Sequence, residues 1–266
     1  MRCMIGLDRM QSGSALFDGK PYRELKKPLH EVGALLDAGN AHSGRTARNH
    51  LRWLAMSNGM SPKRVDEVLE LVGLTDVAKK RVGQFSLGMK QRLGIASVML
   101  GDPKVVILDE PANGLDPEGI RWIREMLKHL ASQGRSVLVS SHLLSEMALM
   151  ADDLIVIGKG RLITECTVPD FIDRYAKKWV IVKSPQLDSL VSVAQGQGMH
   201  VSLGQGVAEF HGVEAATIGE LAAKNNVVLH ELSTQTGSLE DAFLEVTADA
   251  VQYHGHSETK SNGVAS

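Results

Sequence analysis

The sequence predicts an α/β fold with a parallel sheet, a helical subdomain and a small C-terminal α+β appendage. Three observations carry this. Between residues 105 and 157 short aliphatic runs alternate with amphipathic helical segments, as in a parallel sheet covered by helices. Hydrophobic residues make up 43% of the chain and aromatics only 4%, so the core is large and aliphatic. After residue 165 short strand and helix signals resume in a mixed order, which reads as the appendage.

Bulk properties narrow the function classes. A chain of 266 residues holds one large domain, or one domain and a small appendage. A net charge of −2 without a basic excess argues against nucleic acid as a partner. Cys3 and Cys166 lie far apart in no metal or redox spacing, which fits a reducing compartment. No apolar run approaches the roughly 20 residues of a membrane span, so any membrane role comes through a partner.

The elements follow in order. Met1 to Leu7 is an apolar fragment, and Ser12 to Gly19 reads as turn, short strand and turn. Pro21 to Leu29 is expected as one short helix and Val32 to Leu36 as a strand. Thr46 to Asn58 is expected as a helix with Trp53 on its apolar face. Ser61-Pro62 starts the next helix as cap and first residue, Val65, Val68, Leu69 and Val72 recur at helical spacing, and Gly73 suits its end. A helix from Gly88 to Leu100 is closed by Gly101 and Pro103. Val105 to Leu108 is a buried strand, Pro117 to Gln133 a helix, Ser136 to Ser140 a strand, Leu143 to Met150 a helix and Leu154 to Ile157 a strand. Gly158-Lys159-Gly160 is a hairpin turn into Leu162-Ile163. In the appendage, Val168 to Tyr175, Ala215 to Lys224 and Ser238 to Val246 read as helices. Trp179 to Lys183, Val207 to Phe210 and Asn226 to His230 read as strands. From Ala248 the composition is that of a disordered tail, in which His254 and His256 are an incidental pair.

Chemistry concentrates where the strand Val105 to Leu108 runs into Asp109-Glu110-Pro111. Two acids at the carboxyl edge of a parallel sheet stand where such folds place ligands. Asp109 can hold Mg²⁺ through water and Glu110 can polarise an attacking water. Taken alone, the same strand end is equally consistent with a helix cap. Upstream, Ser86 and Gly88 open a helix whose free N–H groups and dipole suit phosphate oxygens, although Ser and Gly are also ordinary caps. Ala112 to Asp116 forms a turn beside the acids, and His142 follows the next strand. The informative feature is the order: helix-start serine, strand with two acids, aspartate turn, strand with histidine.

In that order the chain resembles the nucleotide-binding subunit of an ABC (ATP-binding cassette) transporter over roughly Met1 to Glu165. Phe85 to Met89 fills the place of the signature motif Leu-Ser-Gly-Gly-Gln, with Ser86 and Gly88 matching and Phe85, Leu87 and Met89 departing. Leu108-Asp109-Glu110 is similar to Walker B with its catalytic glutamate, Asn113 to Asp116 to the D-loop, and His142 to the switch histidine. Asp37 occupies the Q-loop position, where the family carries glutamine. Gly237 to Leu244 resembles the tail of the drug-export and ABC-2 branch.

The resemblance implies a P-loop NTPase core with ATP and Mg²⁺ as cofactors. It implies Glu110 as general base, Asp109 at the Mg²⁺, and His142 at the γ-phosphate. Ser86, Gly88 and Gln91 would reach the nucleotide of a second ATP-binding subunit. It further implies a permease partner met by Asp37 to Arg48 and the following helices, peripheral attachment at the inner membrane face, and export of a drug or antibiotic. The implied domains are 1–37 and 101–165 for the core, 38–100 for the helical subdomain, 166–247 for the appendage and 248–266 for the tail. A non-catalytic subunit that lends only its signature motif to a partner is the alternative reading.

The resemblance requires a phosphate loop, G-x-x-x-x-G-K-[ST], whose backbone N–H groups, lysine and hydroxyl hold the phosphates and Mg²⁺. No stretch matches in full. Gly13 to Lys20 has one residue too many and is followed by Pro21. Gly39 to Thr46 has the spacing, but Arg45 replaces the lysine, and it lies too near Ser86 for the expected insert. Met1 to Leu7 resembles the helix that follows the phosphate loop. The resemblance therefore places the loop and the first strands just before Met1, through either a late-assigned start codon or a truncated gene. In-frame translation upstream of Met1 separates the two: Gly-Lys-Ser/Thr a few codons back is the expected result, and a stop codon there points to truncation.

Overall fold

The computed structural model describes residues 1–247 apart from residues 38 and 40. The expected tail, with His254 and His256, lies outside the described residues. The chain divides into two compact units, Met1–Met150 and Ala151–Ser266.

The first unit is built on three parallel strands, β1 (Val32–Leu35), β2 (Val105–Asp109) and β3 (Ser136–Ser140), in the order β1-β2-β3. The helices of this unit are α1 (Pro28–Glu31), α2 (Ala47–Ser57), α3 (Lys63–Leu71), α4 (Leu87–Met99), α5 (Pro117–Ser132) and α6 (Leu144–Met150). β2 is the central strand, and Val106, Ile107 and Leu108 are at most 1% exposed, because both faces of a covered parallel sheet exclude water. α2, α3 and α4 contribute Leu51, Leu69 and Leu93 to one continuous aliphatic cluster with Val106, Leu108 and Ile123. α4 lies very close to β1. A Cβ on Gly33 would stand 2.9 Å from the Val98 carbonyl oxygen, and one on Gly94 would stand 2.7 Å from Leu35 Cδ1.

The N-terminal segment differs from expectation. Met1 to Leu7 forms tight turns and no helix. Leu7 N–H donates to Arg2 O at 3.1 Å, and Gly6, at φ +72°, closes the turn in the left-handed conformation that ends helices. In place of a strand near Phe17, a single bridge pairs Phe17 with Lys20. The helix expected over Pro21 to Leu29 is split into a 3₁₀ turn at Tyr22–Glu24 and α1, because Lys27, before Pro28, is held out of the helical region. Trp53 lies off the buried stripe of α2, which runs through Ala47, His50, Leu51 and Ala55, and is 51% exposed.

In the second unit β4 (Asp153–Gly158) pairs antiparallel with β5 (Arg161–Thr167) and stays out of the parallel sheet. α7 (Val168–Tyr175) and α10 (Leu239–Thr247) pack together. Between them run β6 (Lys178–Lys183), α8 (Leu187–Gly196), β7 (His200–Gly204), β8 (Val207–His211), α9 (Ala215–Lys224) and β9 (Glu231–Thr236). The strand order β7-β8-β6-β9 with this helix placement is a split βαβ, or ferredoxin-like, arrangement. Val180, Val182, Ala208 and Phe210 are fully buried in one cluster with Leu190, Ala194 and Ile218. Three elements depart from expectation: α8 and β7 have no counterpart among the expected elements, and the last strand is β9 rather than Asn226 to His230. Asn226 turns the chain at φ +54° and Val227 N–H bonds back to Ala222 O, so the apolar run there closes α9.

Behind α4, Gly101 presses against α1, and a Cβ there would stand 1.9 Å from Leu29 O. Gly101→Ala should lower the stability of the first unit by about 1–3 kcal/mol or more, read as a drop in the urea midpoint. An unchanged midpoint would contradict this packing.

Candidate functional site

The three parallel strands end on one edge, and the site residues leave from it. Val32 to Leu35 pair with Val105 to Leu108, so Asp37 follows β1 on the edge where Asp109 ends β2 and Glu110 follows it. Asp109 stands directly opposite Ser140, the last residue of β3. The carboxyl edge of a parallel sheet is where α/β folds bind ligands.

Ser140 organises the two acids. Its hydroxyl donates to Asp109 Oδ1 and accepts from the Glu110 N–H at 3.1 Å. The Ser140 carbonyl also accepts from the Glu110 N–H, at 3.2 Å. Glu110 itself is left-handed, at φ +49°, a conformation costing a non-glycine residue about 1–3 kcal/mol. That turn swings the Glu110 carboxylate to His142, whose Nδ1 lies 2.7 Å from Oε2. The Glu110 carbonyl accepts from Asn113 N–H at 3.1 Å and from Gln91 Nε2 at 3.3 Å. The pair is open to solvent, with the His142 side chain 65% and the Glu110 side chain 35% exposed.

The remaining candidates take supporting positions. Asp116 caps α5, its Oδ1 accepting from Gly119 N–H at 2.9 Å. Ser86 caps α4, accepting from Met89 N–H at 3.2 Å. Among the described residues no hydrogen bond joins Ser86 to Glu110 or His142. The start of α4 rests on the turn after the acids: a Cβ on Gly88 would lie 3.4 Å from Leu115 Cδ2, and one on Gly114 would collide with Leu87 at 2.2 Å. Leu87 is 56% exposed, so this departure from the signature pattern covers the turn and leaves the helix start open. Asp37 is exposed, and its Oδ1 accepts from Gly39 N–H at 2.7 Å.

Gln91 is 5% exposed and its Nε2 donates to Glu110 O, so it braces the acid turn of its own chain. The look-alike phosphate loop over 39–46 is also built differently from a cradle. The Arg45 guanidinium lies over the Trp53 ring, 4.7 Å from its centroid, and Thr46 Oγ1 caps α2 by accepting from Asn49 N–H. Asn40 of that stretch lies outside the described residues. Sequence reasoning missed Ser140 as the partner of both acids; its signal is a hydroxyl at the end of the strand next to an acid-ended strand.

A metal would find limited protein ligation. No group of three or more His, Cys, Asp or Glu side chains suited to a metal is present among the described residues. One carboxylate, Asp109, beside the Ser140 hydroxyl fits Mg²⁺, which takes most of its ligands from phosphate and water. No helix among the described residues is long and apolar enough to cross a membrane.

Comparison with known proteins places the chain in a family. Residues 1–113 match the ABC transporter family, and residues 178–240 match a domain of unknown function, DUF8746. The chain is 37% identical over 265 residues to an uncharacterized ABC transporter ATP-binding protein, YhcH, of Bacillus subtilis, covering 96% of this chain and 85% of that protein. It is 34% identical over 253 residues to the bacitracin transport ATP-binding protein BcrA of Bacillus licheniformis, covering 92% and 83%. It is 38% identical over 165 residues to the lantibiotic transport ATP-binding protein SrtF of Streptococcus pyogenes, covering 62% and 71%. Among solved structures it is similar to an ATP-binding subunit of an ABC transporter, with TM-score 0.58 and 25% identity over 65% of this chain and 75% of that one. The cbiO1 protein of Clostridium perfringens, part of the transporter complex cbiONQ, gives 0.56 and 25% over 73% and 76%.

Ser140→Ala removes the hydroxyl shared by Asp109 and the Glu110 amide. The expected cost is about 1–3 kcal/mol, seen as a lower urea midpoint. An unaltered midpoint would contradict the bridging role.

Proposed function

This chain belongs to the ABC transporter ATP-binding family, and on that premise we propose that it couples ATP binding and hydrolysis to export of an antibiotic-like substrate through a partner membrane subunit. Proteins of the family are ATPases whose turnover is coupled to transport. Relatives named for bacitracin and lantibiotic transport support the substrate class.

One observation carries the reading: Glu110 and His142 in contact at 2.7 Å, beside Asp109 on Ser140, at the carboxyl edge of the sheet. In the proposed reaction the Glu110 carboxylate takes the proton of a water as that water attacks the γ-phosphorus. The bond to the bridging oxygen breaks and ADP leaves. His142 holds Glu110 and meets the γ-phosphate. Asp109 would hold Mg²⁺, and the ion would neutralise phosphate charge. Ser86 and Gly88, at the open start of α4, would serve the nucleotide of a second ATP-binding subunit through free N–H groups and the helix dipole. Asp116 keeps the acid turn in place through α5, and Asp37 stands at the Q-loop position. The segment from Asp37 to Arg48 with α2 and α3 would meet the membrane subunit, which holds the chain at the inner membrane face.

The phosphate cradle is the part of the site that residues 1–266 do not supply, since none of them forms the G-x-x-x-x-G-K-[ST] pattern. This chain acts with a second ATP-binding subunit. A purely regulatory chain would need none of the Glu110, His142 and Ser140 contacts, which disfavours that second reading.

Two substitutions test the proposal in a mixed dimer with the membrane subunit present. Ser86→Arg in this chain should abolish hydrolysis at the partner's site; unchanged ATPase would sink the shared-site arrangement. In the assembled, ATP-hydrolysing transporter, Glu110→Gln should slow phosphate release by about 10²–10⁴-fold, and full activity would remove Glu110 as the base.

A further inference from the structure

The four-stranded sheet of the appendage has two edges, and only one of them is guarded. Its order β7-β8-β6-β9 leaves β7 and β9 on the outside. An exposed edge is a template for pairing with another chain, and folded proteins blunt such edges with charges, proline or bulges. β9 has a charged guard: Glu231, at its start, pairs with Lys183 Nζ at 2.6 Å and accepts from the Ser233 hydroxyl at 3.1 Å. β7 has none. His200-Val201-Ser202-Leu203-Gly204 contains no carboxylate, lysine, arginine or proline, and it pairs with β8 in unbroken register. All of its residues except Val201 are exposed, Leu203 to 58%.

The turn between β7 and β8 fixes which backbone groups face outward. Gly204 stands opposite Val207 across the two-residue turn Gln205-Gly206, and the pair that closes such a turn exchanges both of its backbone hydrogen bonds. By alternation the pairs Ser202–Glu209 and His200–His211 do the same. Val201 and Leu203 therefore direct their N–H and C=O groups away from the sheet. Among the described residues no hydrogen bond outside the ladder engages either backbone. Their side chains share one face. Val201 packs against the cluster that holds Val182, Leu190 and Phe210, and Leu203 extends the same stripe into solvent.

A second copy of the same strand satisfies all of these groups at once. With the two strands antiparallel about a two-fold axis at Ser202, Val201 faces Leu203 of the second copy, and the outward N–H and C=O groups of both residues find partners. Val201 of the second copy then covers the exposed Leu203. On the other face Ser202 meets its own counterpart as a non-hydrogen-bonded pair, and His200 meets Gly204, which has no side chain to obstruct it. No carboxylate, lysine or arginine opposes its like in this register. We propose that β7 is a homodimer contact, which joins the four-stranded sheets of two copies into one continuous sheet. The contact is separate from the edge that carries Asp109 and Glu110, and it forms without ATP.

Disulfide trapping in the full chain, without nucleotide, tests this register. In a background of Cys3→Ser and Cys166→Ser, Ser202→Cys puts the two sulfurs on residues whose Cα atoms lie about 4.5 Å apart across the axis, within disulfide reach. Leu203→Cys, also on an exposed residue, puts them on Cα atoms about 8 Å apart, beyond it. Mild oxidation should link Ser202→Cys into a dimer at least about tenfold faster than Leu203→Cys. Adding Leu203→Pro to Ser202→Cys removes an outward N–H that the ladder does not use, so the circular dichroism spectrum should stay unchanged while the linked dimer is lost. Equal or faster linking of Leu203→Cys, no linking of Ser202→Cys, or linking that survives Leu203→Pro overturns the proposal. With nucleotide absent throughout, none of these outcomes bears on the roles proposed for Glu110 and His142.

Discussion

Ser140 stands opposite Asp109 in the parallel ladder, and that single pairing places both acids of the candidate site. Its hydroxyl serves Asp109 on one side and the Glu110 amide on the other, and its carbonyl holds the same amide. The bonds around Glu110 offset the strain of its left-handed backbone, and that backbone directs the carboxylate to His142. A one-residue slip between β2 and β3 would turn Ser140 to the other face and release both acids. The dense aliphatic packing of Val106, Ile107 and Leu108 prevents the slip, so core and site enforce one register.

α4 ties that edge to the rest of the first unit. Near its start, Gln91 braces the Glu110 carbonyl, and Gly88 lets it approach Leu115. Midway, Gly94 admits Leu35 of β1, and near its end the Arg64 guanidinium bonds Met99 O. The same helix supplies Leu93 and Val98 to a groove between the end of β1, α2 and α4. The wall of the groove and the acid turn thus rest on one element.

The stretch Gly39 to Thr46 shows why spacing alone does not make a phosphate site. A cradle needs a free lysine-like charge and a free hydroxyl directed to one point. Here the cation is stacked on Trp53 and the Thr46 hydroxyl caps α2. The segment is built to start a helix and present Arg45 at a rim. In the same way, Leu87 breaks the signature pattern yet leaves the α4 start accessible, because its side chain lies over Gly114.

The sequence by itself determined the parts whose information is local. The aliphatic run before Asp109-Glu110 marks a buried central strand. The order of Ser86, the acids, Asp116 and His142 marks the edge at which the site is proposed. Serine, threonine and glycine at segment ends mark most helix limits of the first unit. Only the tertiary structure decided which of these residues touch. Ser140 reaches Asp109 across 31 residues and His142 reaches Glu110 across 32. Gln91 is turned inward by the packing of α4, Trp53 is turned outward because Ala47, Leu51 and Ala55 already fill the core side of α2, and β9 becomes an edge strand although its residues are mostly polar. Periodicity and capping are written within a few residues of chain. Register, burial and the choice between two faces of a helix depend on what else competes for the same space, and that is settled only when the helices and strands of each unit pack.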